Sequence, residues 1–510
     1  MAFANTYPII IFNSSGSDTQ ASGAGPTTAI TGNSAVLTNN SATVTMTTDN
    51  PDLSGVSTDG SAAFFINDST PGNRNFYSIV GVNNGAKTIT VSPIVGATGG
   101  FTGSWAIGGK RATLQSSTSN KLFSNNSTTG DAVSGWTIEM DSGYTETFPS
   151  NTGLIIRGAN TSTSGPITFR GSLTASVIPV LTFNMNGSVS ANIGAIDFRG
   201  ANFWKIENFA IKNSNASPAS HYAITGINGT TNHIKFKNIS VGSSATGSTG
   251  YFWGGIRLSS ASSQGQGFIL DGCSFYGRYA GITGTSIGIA SNSASSDCII
   301  KNCFVGKFNT GISYTGTINS NILSNCIISG NNIGVTWATT QGSLNDTSLI
   351  YSWICRNNTI HNNAREGILL SVDASSIKAR IIGMQIVNNI ITTNGATGIS
   401  TAGSVGLTSD ALRAAYVVVD SNNMGTGSDA NAGGMYSSQV SDIATNTIQV
   451  LNYFTNVGVS GSTGNYSPNN TTLFNIADPS FSIGGTAQTT SPTYVVVGAV
   501  EPPREYSYSG

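Results

Sequence analysis

The chain has 510 residues, of which 62 are glycine and only 9% are charged, and its formal net charge is -1. The absence of a basic stripe excludes a nucleic-acid binder that works by counterion release, and apolar residues that recur in register exclude a disordered chain. No stretch approaches the length of a membrane span, and the N-terminus lacks the basic flank and long apolar core of a secretion signal. We therefore expect a protein that binds neither nucleic acid nor membrane.

Residues 1–113 are predicted to form a small N-terminal β domain. Short apolar runs separated by turn residues predict its strands, and these runs are Ala35-Val36-Leu37, Ala42 to Met46, Phe64-Phe65-Ile66, Phe76 to Val80 and Thr88 to Val91. The Asn83-Asn84-Gly85 stretch predicts a hairpin between the last two runs. Gly108 to Thr113 then closes the domain.

Residues 114–135 are predicted to be a linker with a candidate short helix around Asn120 to Ser124. Beyond the linker, three phrases place an arginine between an apolar residue and a glycine, at Arg157, Arg170 and Arg199. One interpretation is that these arginines bind an anionic sugar or a partner carboxylate. The other is that they shield strand ends while their stems lie along the apolar surface.

From residue 206 to residue 435 one phrase repeats: an apolar residue, any residue, an asparagine or small residue (the slot), two further residues and another apolar residue. The slot residues lie 30, 34, 30, 23, 32, 31 and 33 positions apart, and they are Asn208, Asn238, Gly272, Asn302, Asn325, Asn357, Asn388 and Ser421. A glycine followed by an apolar residue comes after each slot, as in Gly281-Ile282 of the third copy and Gly311-Ile312 of the fourth. Short β units with a constant period must stack to bury their apolar faces, which predicts a parallel β-helix.

The slot asparagines have two predicted roles. Asparagine tolerates the left-handed backbone of a turn, and its amide can bond the equivalent amide one coil away, about 4.8 Å along the axis. We therefore predict a structural ladder of side chains at Asn208, Asn238, Asn302, Asn325, Asn357 and Asn388.

The repeat resembles the right-handed parallel β-helices of the pectate-lyase-like group, in which such asparagine ladders occur. The resemblance covers residues 136–450, where Gly135 to Met140 looks like an opening coil. It implies an all-β, right-handed parallel β-helix preceded by the small N-terminal domain. Because the group includes lyases, hydrolases, adhesins and viral proteins, the resemblance does not select a function. Residues 451–510 resemble closing segments and are predicted to cap the last coil, which would otherwise expose a strand edge.

Several reactive side chains occupy equivalent positions in successive copies of the repeat, which indicates a structural role for them. Cys273, Cys303 and Cys326 each follow a slot residue, which favours a stack of free thiols over disulfides, and no CxxC motif or histidine pair supports zinc. The position before the slot carries Glu207, Lys237, Asp271 and Lys301 in successive copies. Their alternating sign predicts a charge ladder between coils. We therefore predict no metal site and no cofactor.

An enzyme that cleaves polysaccharides needs carboxylates that converge on neighbouring coils. The best remaining candidates for acid–base work or calcium binding are Glu366 and Asp373 with Arg365, although a surface ion pair is the favoured interpretation. The protein is therefore predicted not to be an enzyme. If it is one, a polysaccharide lyase or a glycoside hydrolase is expected.

Aromatic residues between the strand phrases are candidates for stacking on sugars or for burial between subunits. They are Trp253, Tyr276, Tyr279, Tyr314, Trp337 and Trp353. Packing in the core or in an interface is the simpler use for most of them.

The N-terminal block, with Asn13 to Asp18 and the closing Gly108 to Thr113, resembles leader modules of virion proteins of tailed phages. This resemblance implies a structural protein on the virion surface, either a capsid decoration protein or a head fibre. Residues 1–113 would bind the major capsid protein or a tail component, and the β-helix would project as a homotrimer. One alternative is a tailspike or fibre that binds or cleaves a host surface glycan. Another is a secreted bacterial polysaccharide lyase or adhesin.

Overall fold

The structure, a computed structural model, confirms the predicted all-β fold. It describes residues 9–17, 26, 28–38, 40–67, 74–92, 101–114, 135–159, 165–186, 194–215, 221–226, 231–242, 250–258, 265–278, 286–292, 295–315, 318–338, 349–351, 353–372, 380–382, 384–403, 414–415, 418–420, 436–438, 448–450, 482–483 and 486–487. Every regular element in these residues is a strand, and none of them forms a helix able to cross a membrane. The candidate helix near Asn120 and nearly all of the predicted cap lie outside them.

The chain divides into two compact units. Unit 1 comprises Met1–Asn184, Ile196–Ile211 and His233–Lys235, and unit 2 comprises Met185–Ala195, Lys212–Asn232 and Phe236–Gly510. Strands β1 to β13 are, in chain order, Ile9–Phe12, Ile30–Leu37, Thr43–Thr45, Ala63–Ile66, Phe76–Asn83, Thr88–Ser92, Phe101–Ile107, Thr137–Met140, Thr145–Ser150, Leu154–Ala159, Ile167–Gly171, Val180–Asn184 and Ile196–Asn213.

The remaining strands belong wholly or mostly to unit 2. Strands β14 to β42 are Tyr222–Thr225, Thr231–Val241, Gly254–Arg257, Gly265–Gln266, Ile269–Asp271, Ser274–Tyr276, Ile287–Asn292, Ser295–Ser296, Ile299–Lys301, Phe304–Gly306, Thr310–Thr315, Ile318–Asn319, Ile322–Ser324, Ile327–Ser329, Ile333–Ala338, Leu349–Tyr351, Ile354–Arg356, Thr359–His361, Ile368–Val372, Arg380–Ile382, Gln385–Val387, Ile390–Thr392, Ile399–Gly403, Ala414–Ala415, Val418–Asp420, Tyr436–Ser438, Ile448–Val450, Ser482–Ile483 and Thr486–Ala487.

Unit 1 contains a closed antiparallel barrel with the strand order β2-β3-β6-β5-β4-β7. Alternating side chains such as Leu37, Val44 and Ile89 fill its core together with Trp105. The first strand of the chain lies outside the barrel, because β1 pairs in parallel with β8 of the first coil. The structure therefore differs from the predicted division at residue 113, since the barrel is inserted between β1 and the coil that β1 covers.

The coils of unit 2 are built from four stacks of parallel strands. Stack A contains β18, β22, β26, β30, β34, β38 and β40, and stack B contains β19, β23, β27, β31 and β35. Stack C contains β14, β16, β20, β24, β28, β32, β36 and β39, and stack D contains β17, β21, β25, β29, β33 and β37. Residues in register differ in sequence by one repeat, so the predicted parallel β-helix is the observed fold.

The apolar residues on either side of the slot point into the coils. In one column of stack A, Leu270, Ile300 and Leu323 are in register, and Phe275, Val305 and Ile328 form the equivalent column in stack B. These six side chains are at most 1% exposed. The slot residue makes the bend between the two stacks. Its φ is positive in every slot residue that the structure describes, with values between 52° and 67°.

The amide-to-amide hydrogen bonds that the structure describes between coils join asparagines at inward positions, whereas the ladder was predicted at the slot asparagines. Because the bend directs the slot side chain outward, the residue after the slot points inward, and Asn358 Nδ2 donates to Asn389 Oδ1 at 2.9 Å. A second inward column joins Asn331, Asn363 and Asn394 through bonds of 3.1 and 2.8 Å. Outside, Asn302 Nδ2 donates to a carboxylate, that of Asp271, at 2.8 Å.

A glycine column at the start of stack C lets neighbouring coils approach closely. A Cβ on Gly334 would lie 2.4 Å from the carbonyl oxygen of Gly367, and one on Gly311 would lie 2.6 Å from that of Gly334. Ile289 is in register with Ile312, so Gly288 represents the third copy of this signature. The glycine assigned to that copy by spacing, Gly281, lies outside the described residues.

Candidate functional site

The predicted acid–base candidates include one resolved ion pair. Arg365 and Glu366 lie just before β32, and Arg365 Nη2 is 2.9 Å from Glu366 Oε1. The Glu366 side chain is 10% exposed, whereas that of Arg365 is 57% exposed. Asp373 lies outside the described residues. The resolved geometry is therefore that of a carboxylate held by its neighbouring guanidinium, and within the described part of the chain no three His, Cys, Asp or Glu side chains converge to hold a metal.

Three of the candidate sugar-binding aromatics lie inside the coils rather than on their surface. Tyr314, Trp337 and Trp353 are fully buried and contact one another, with ring centroids 4.0, 5.6 and 5.8 Å apart. They cannot stack on an external glycan in this position. The physical reason is register: Tyr314 and Trp337 occupy equivalent inward positions of β24 and β28.

The other aromatic candidates have different surroundings. Tyr276 is buried against Phe304, with ring centroids 4.8 Å apart, and Tyr251 belongs to the same cluster. Trp253 is half-buried and meets the edge of Tyr222 at 5.3 Å. Tyr279 lies outside the described residues. Of the six candidates, Trp253 is thus the one that the structure places partly at the surface.

The thiols and the Tyr314 hydroxyl share the core of the coils. All five cysteines are free and buried. Burial raises the pKa of Cys273 and of Cys303 well above the usual value. Each thiol donates to the carbonyl two residues earlier, that of Asp271 at 3.8 Å and that of Lys301 at 3.1 Å. Burial likewise raises the pKa of Cys355 to about 12. These groups stay protonated near neutral pH, so they are inert as nucleophiles there.

Of the four residues in the predicted charge ladder, Asp271 and Lys301 form an ion pair with each other, whereas Glu207 pairs with Lys205 of its own strand. In unit 2, Lys301 Nζ lies 3.3 Å from Asp271 Oδ2, one coil away. In unit 1, Arg170 Nε lies 2.7 Å from Glu139 Oε2, and Arg170 is also in register with Glu207. Arg170 thus neutralises carboxylates of the protein itself. Arg199 does the same with Asp197, at 2.7 Å.

The junction between the barrel and the first coil is the most constrained site in unit 1. The Arg111 nitrogen donates to the Ile11 carbonyl at 2.9 Å, and the Asn13 nitrogen donates to the Arg111 carbonyl at 2.8 Å. Residue 111 therefore extends the sheet at β1. Nearby, Lys110 Nζ lies 2.5 Å from Asp141 Oδ2 of the first coil.

The Arg111 side chain joins this junction to the outside of the barrel. It is fully buried, and its guanidinium carbon lies 4.7 Å from the ring centroid of Phe65 and 5.0 Å from that of Phe76. The two rings face away from the barrel core, whose members are their neighbours Phe64 and Tyr77. Desolvated cation–π contacts of this kind contribute about 2 kcal/mol. The closing segment, residues 108–113, therefore contacts both the barrel and the first coil of unit 1.

Sequence reasoning missed this arrangement. The sequence contains one signal for a covered outer face. The paired aromatics Phe64-Phe65 and Phe76-Tyr77 indicate strands that are apolar on both faces. No pattern in the sequence indicates that Arg111 covers the outer face. The contact depends on the segment after the barrel's last strand returning beside β1, which is a property of the tertiary fold.

The geometry defines a right-handed parallel β-helix that carries an inserted barrel. No family model matches the chain, and no curated protein matches it. Among solved structures, it is similar to the A-module of a mannuronan C-5 epimerase from Azotobacter vinelandii, at 12% identity over 62% of this chain and 86% of that one, with a TM-score of 0.34. It is also similar to a rhamnogalacturonan lyase (12% identity, 58% and 82% covered, TM-score 0.36) and to a pectate lyase (14%, 59% and 74%, TM-score 0.30).

Proposed function

We propose that this chain is a structural protein on the surface of a tailed-phage particle, anchored by its barrel and projecting its β-helix. The observation that carries the proposal is the junction at Arg111. A β-helix projects in a fixed direction only if it is rigidly connected to its anchor. A flexible linker would not fix that direction. Here the closing segment of the barrel is part of the sheet that begins the first coil.

The topology supports an anchor that can be exchanged as a unit. The chain enters and leaves the barrel at adjacent points, because the Ser17 nitrogen donates to the Lys110 carbonyl at 2.9 Å. The barrel also closes its own sheet and has its own core. Its docking partner would be the major capsid protein or a tail component.

We further propose that the protein is a homotrimer. An outward column of stack A carries Ile269, Ile299, Ile322 and Ile354, all of which are half-buried in the single chain. The neighbouring charges Asp271 and Lys301 already neutralise each other. The column of these two charges also carries the exposed Arg356, in register with Ser324, so a contact between copies would bury the isoleucines and leave Arg356 at its solvated rim.

The structure specifies a sharper deletion than the removal of residues 1–113, which would also remove β1. Residues 18–107 are replaced by Gly-Ser-Gly, so that β1 and residues 108–113 are kept. We expect this variant to fold, with the β-rich circular dichroism of the coils and, by light scattering, the mass of three chains that are each 87 residues shorter than the 510-residue protein. When host cells that produce this variant are infected, the variant should be absent from the purified particles.

The matched control is Leu173→Ala, which changes a side chain that is 61% exposed in the coil part of unit 1. This variant should enter particles at the wild-type level. Wild-type incorporation of the folded, barrel-deleted protein would contradict the anchor role. A monomeric mass for the full chain would contradict the trimer.

A further inference from the structure

The hairpin that joins β5 and β6 in the barrel carries an asparagine directly before a glycine. Asn84 is half-buried and Gly85 is exposed in this turn. An asparagine side chain can react with the backbone nitrogen that follows it, and a glycine there has no Cβ to obstruct the approach. Within the part of the chain that the structure describes, the Gly85 nitrogen has no hydrogen-bond acceptor. It is therefore available as a nucleophile.

Two donors contact the carbonyl oxygen of the Asn84 side chain. Lys87 Nζ donates to Asn84 Oδ1 at 3.1 Å, and the Leu53 nitrogen donates to the same oxygen at 2.9 Å. Negative charge develops on this oxygen when a nucleophile adds to Asn84 Cγ, and donors that already point at such a charge lower the barrier. The ammonium group of Lys87 and the N–H group of Leu53 thus form an oxyanion hole.

A carboxylate contacts the nitrogen of the same amide group. Asn84 Nδ2 donates to Asp52 Oδ1 at 3.1 Å. The Ser54 nitrogen donates to this oxygen as well, and hydrogen bonds from Ser54 lower the pKa of Asp52, so that the carboxyl group stays ionised at neutral pH. The Asn84 nitrogen gains a proton and positive charge as it leaves Cγ, and the Asp52 carboxylate stabilises that charge.

We propose that Asn84 is a site of self-modification, at which the side chain cyclises onto Gly85 and is then hydrolysed. The Gly85 nitrogen bonds to Asn84 Cγ and gives up its proton, while the bond from Cγ to Nδ2 breaks and ammonia is released. Water then opens the resulting succinimide at one of its two carbonyls, which leaves aspartate or isoaspartate at position 84. The chain gains one water and loses one ammonia, so solvent is the only co-reactant. The site does not depend on the anchoring role.

The product would change the contacts that hold this turn. A carboxylate at position 84 still attracts the Lys87 ammonium group, but it cannot donate to Asp52 and repels it. The reaction would therefore weaken the contact between the turn and residues 52–54. We expect Asn84→Asp, which contains this product from the start, to lower the melting temperature of the barrel.

A second asparagine–glycine pair in the coils provides an internal control. Asn394 is buried, and its Oδ1 accepts a hydrogen bond from Asn363 Nδ2 at 2.8 Å. The Gly395 nitrogen donates to the Asn363 carbonyl, also at 2.8 Å. Since this nitrogen is occupied and no cation contacts the amide oxygen in the described residues, Asn394 should stay intact.

The test incubates the full-length protein in mildly alkaline buffer and maps its peptides by mass spectrometry. We expect position 84 to gain the mass that replaces an amide NH2 group by OH, with isoaspartate among the products, while Asn394 in the same sample does not react. Gly85→Ala should slow the reaction at least about tenfold, because its Cβ displaces the nucleophile from the amide. That Cβ would lie 3.5 Å from Asn83 Oδ1, an ordinary contact, so this variant should melt at the wild-type temperature.

Lys87→Met tests the oxyanion hole, and we expect it to react at least about fivefold more slowly than the wild type. Lys307→Met is the matched control, because both lysines have a positive φ, of 50° and 65°, and Lys307 lies in the coils; its rate should be unchanged. The proposal is overturned if Asn84 stays intact in the folded protein but reacts in the chain unfolded by urea. It is equally overturned if Lys87→Met reacts at the wild-type rate, since the surroundings of Asn84 would then play no part.

Discussion

In the barrel, each strand meets two different antiparallel neighbours, and the core combines side chains from all six strands. In the coils of unit 2, each side chain meets the equivalent side chain one repeat away, so that several columns contain mainly one kind of residue. Columns of isoleucine, glycine, asparagine and cysteine result. A substitution in the barrel therefore disturbs only the residues around it. The same substitution in a coil disturbs its equivalents in the coils before and after it.

The largest expected effect comes from the glycine column. In Gly334→Ala the new methyl group would lie 2.4 Å from a backbone oxygen and 2.9 Å from both Asn363 Nδ2 and Ile360 Cγ2. Backbone cannot move aside cheaply, so we expect a loss of about 3 kcal/mol or more in the free energy of unfolding, measured by urea denaturation. Gly55→Ala, in the barrel, meets nothing within 4 Å and should change stability by about 0.5 kcal/mol at most. Equal losses in the two variants would remove the distinction between the regions.

The second effect separates the regions by their response to alkali. Burial raises the pKa of Cys298 and of Cys355 to about 12. The contribution of these neutral thiols is fully present below the pKa of about 8.5 of an unfolded cysteine, and it is lost as pH rises toward 12. Thermal unfolding between pH 8 and 11 should show the coils losing stability progressively. Cys355→Val should flatten this dependence, and an unchanged slope would contradict it.

The third effect separates the regions by their response to acid. Burial tends to raise the pKa of Asp49, but hydrogen bonds from Trp105 Nε1 at 2.7 Å and from the Ser34 nitrogen at 2.8 Å outweigh it, so the pKa lies below its usual value. The carboxylate therefore stabilises the barrel above pH 4 and ceases to do so as pH falls through its lowered pKa.

Removal of this carboxylate should affect the barrel alone. Asp49→Ala leaves the buried Trp105 indole without its acceptor, at a cost of about 1–3 kcal/mol. Calorimetry should show a lower unfolding temperature for the barrel and no change for the coils. The conservative Asp49→Asn variant, which retains an acceptor oxygen, should lose less and should lack the acid-dependent step. A shift in the coil transition would show that the two regions do not unfold separately.

The fold was predictable where the repeat constrains each residue twice, by period and by alternation. Ile312, Val335 and Ile368 could be assigned to one inward column because both constraints agree. The amide ladder was assigned one residue too early, because left-handed φ reverses which side of the chain faces inward. Tyr314, Trp337 and Trp353 were placed near loops because the sequence does not indicate the diameter of the coil. The contacts of Arg111 with Phe65 and Phe76 depend on segments far apart in sequence, which a repeat does not encode.

The smallest expected effect concerns the aromatic cluster inside the coils. The Tyr314 hydroxyl is fully buried and has no hydrogen-bond partner among the described residues. Burial, together with the nearby Cys298, Cys326 and Cys355, raises the pKa of Tyr314 well above the usual value. An unsatisfied buried hydroxyl opposes folding, so Tyr314→Phe should leave stability unchanged or raise it by about 1 kcal/mol. Tyr77→Phe is the control in the barrel, where the hydroxyl donates to the Arg74 carbonyl at 3.3 Å, and it should lose stability slightly. Urea denaturation of both variants distinguishes the two cases. A clear loss for Tyr314→Phe would mean that the hydroxyl is satisfied, and the three rings would then surround a hydrogen-bonded group in the core.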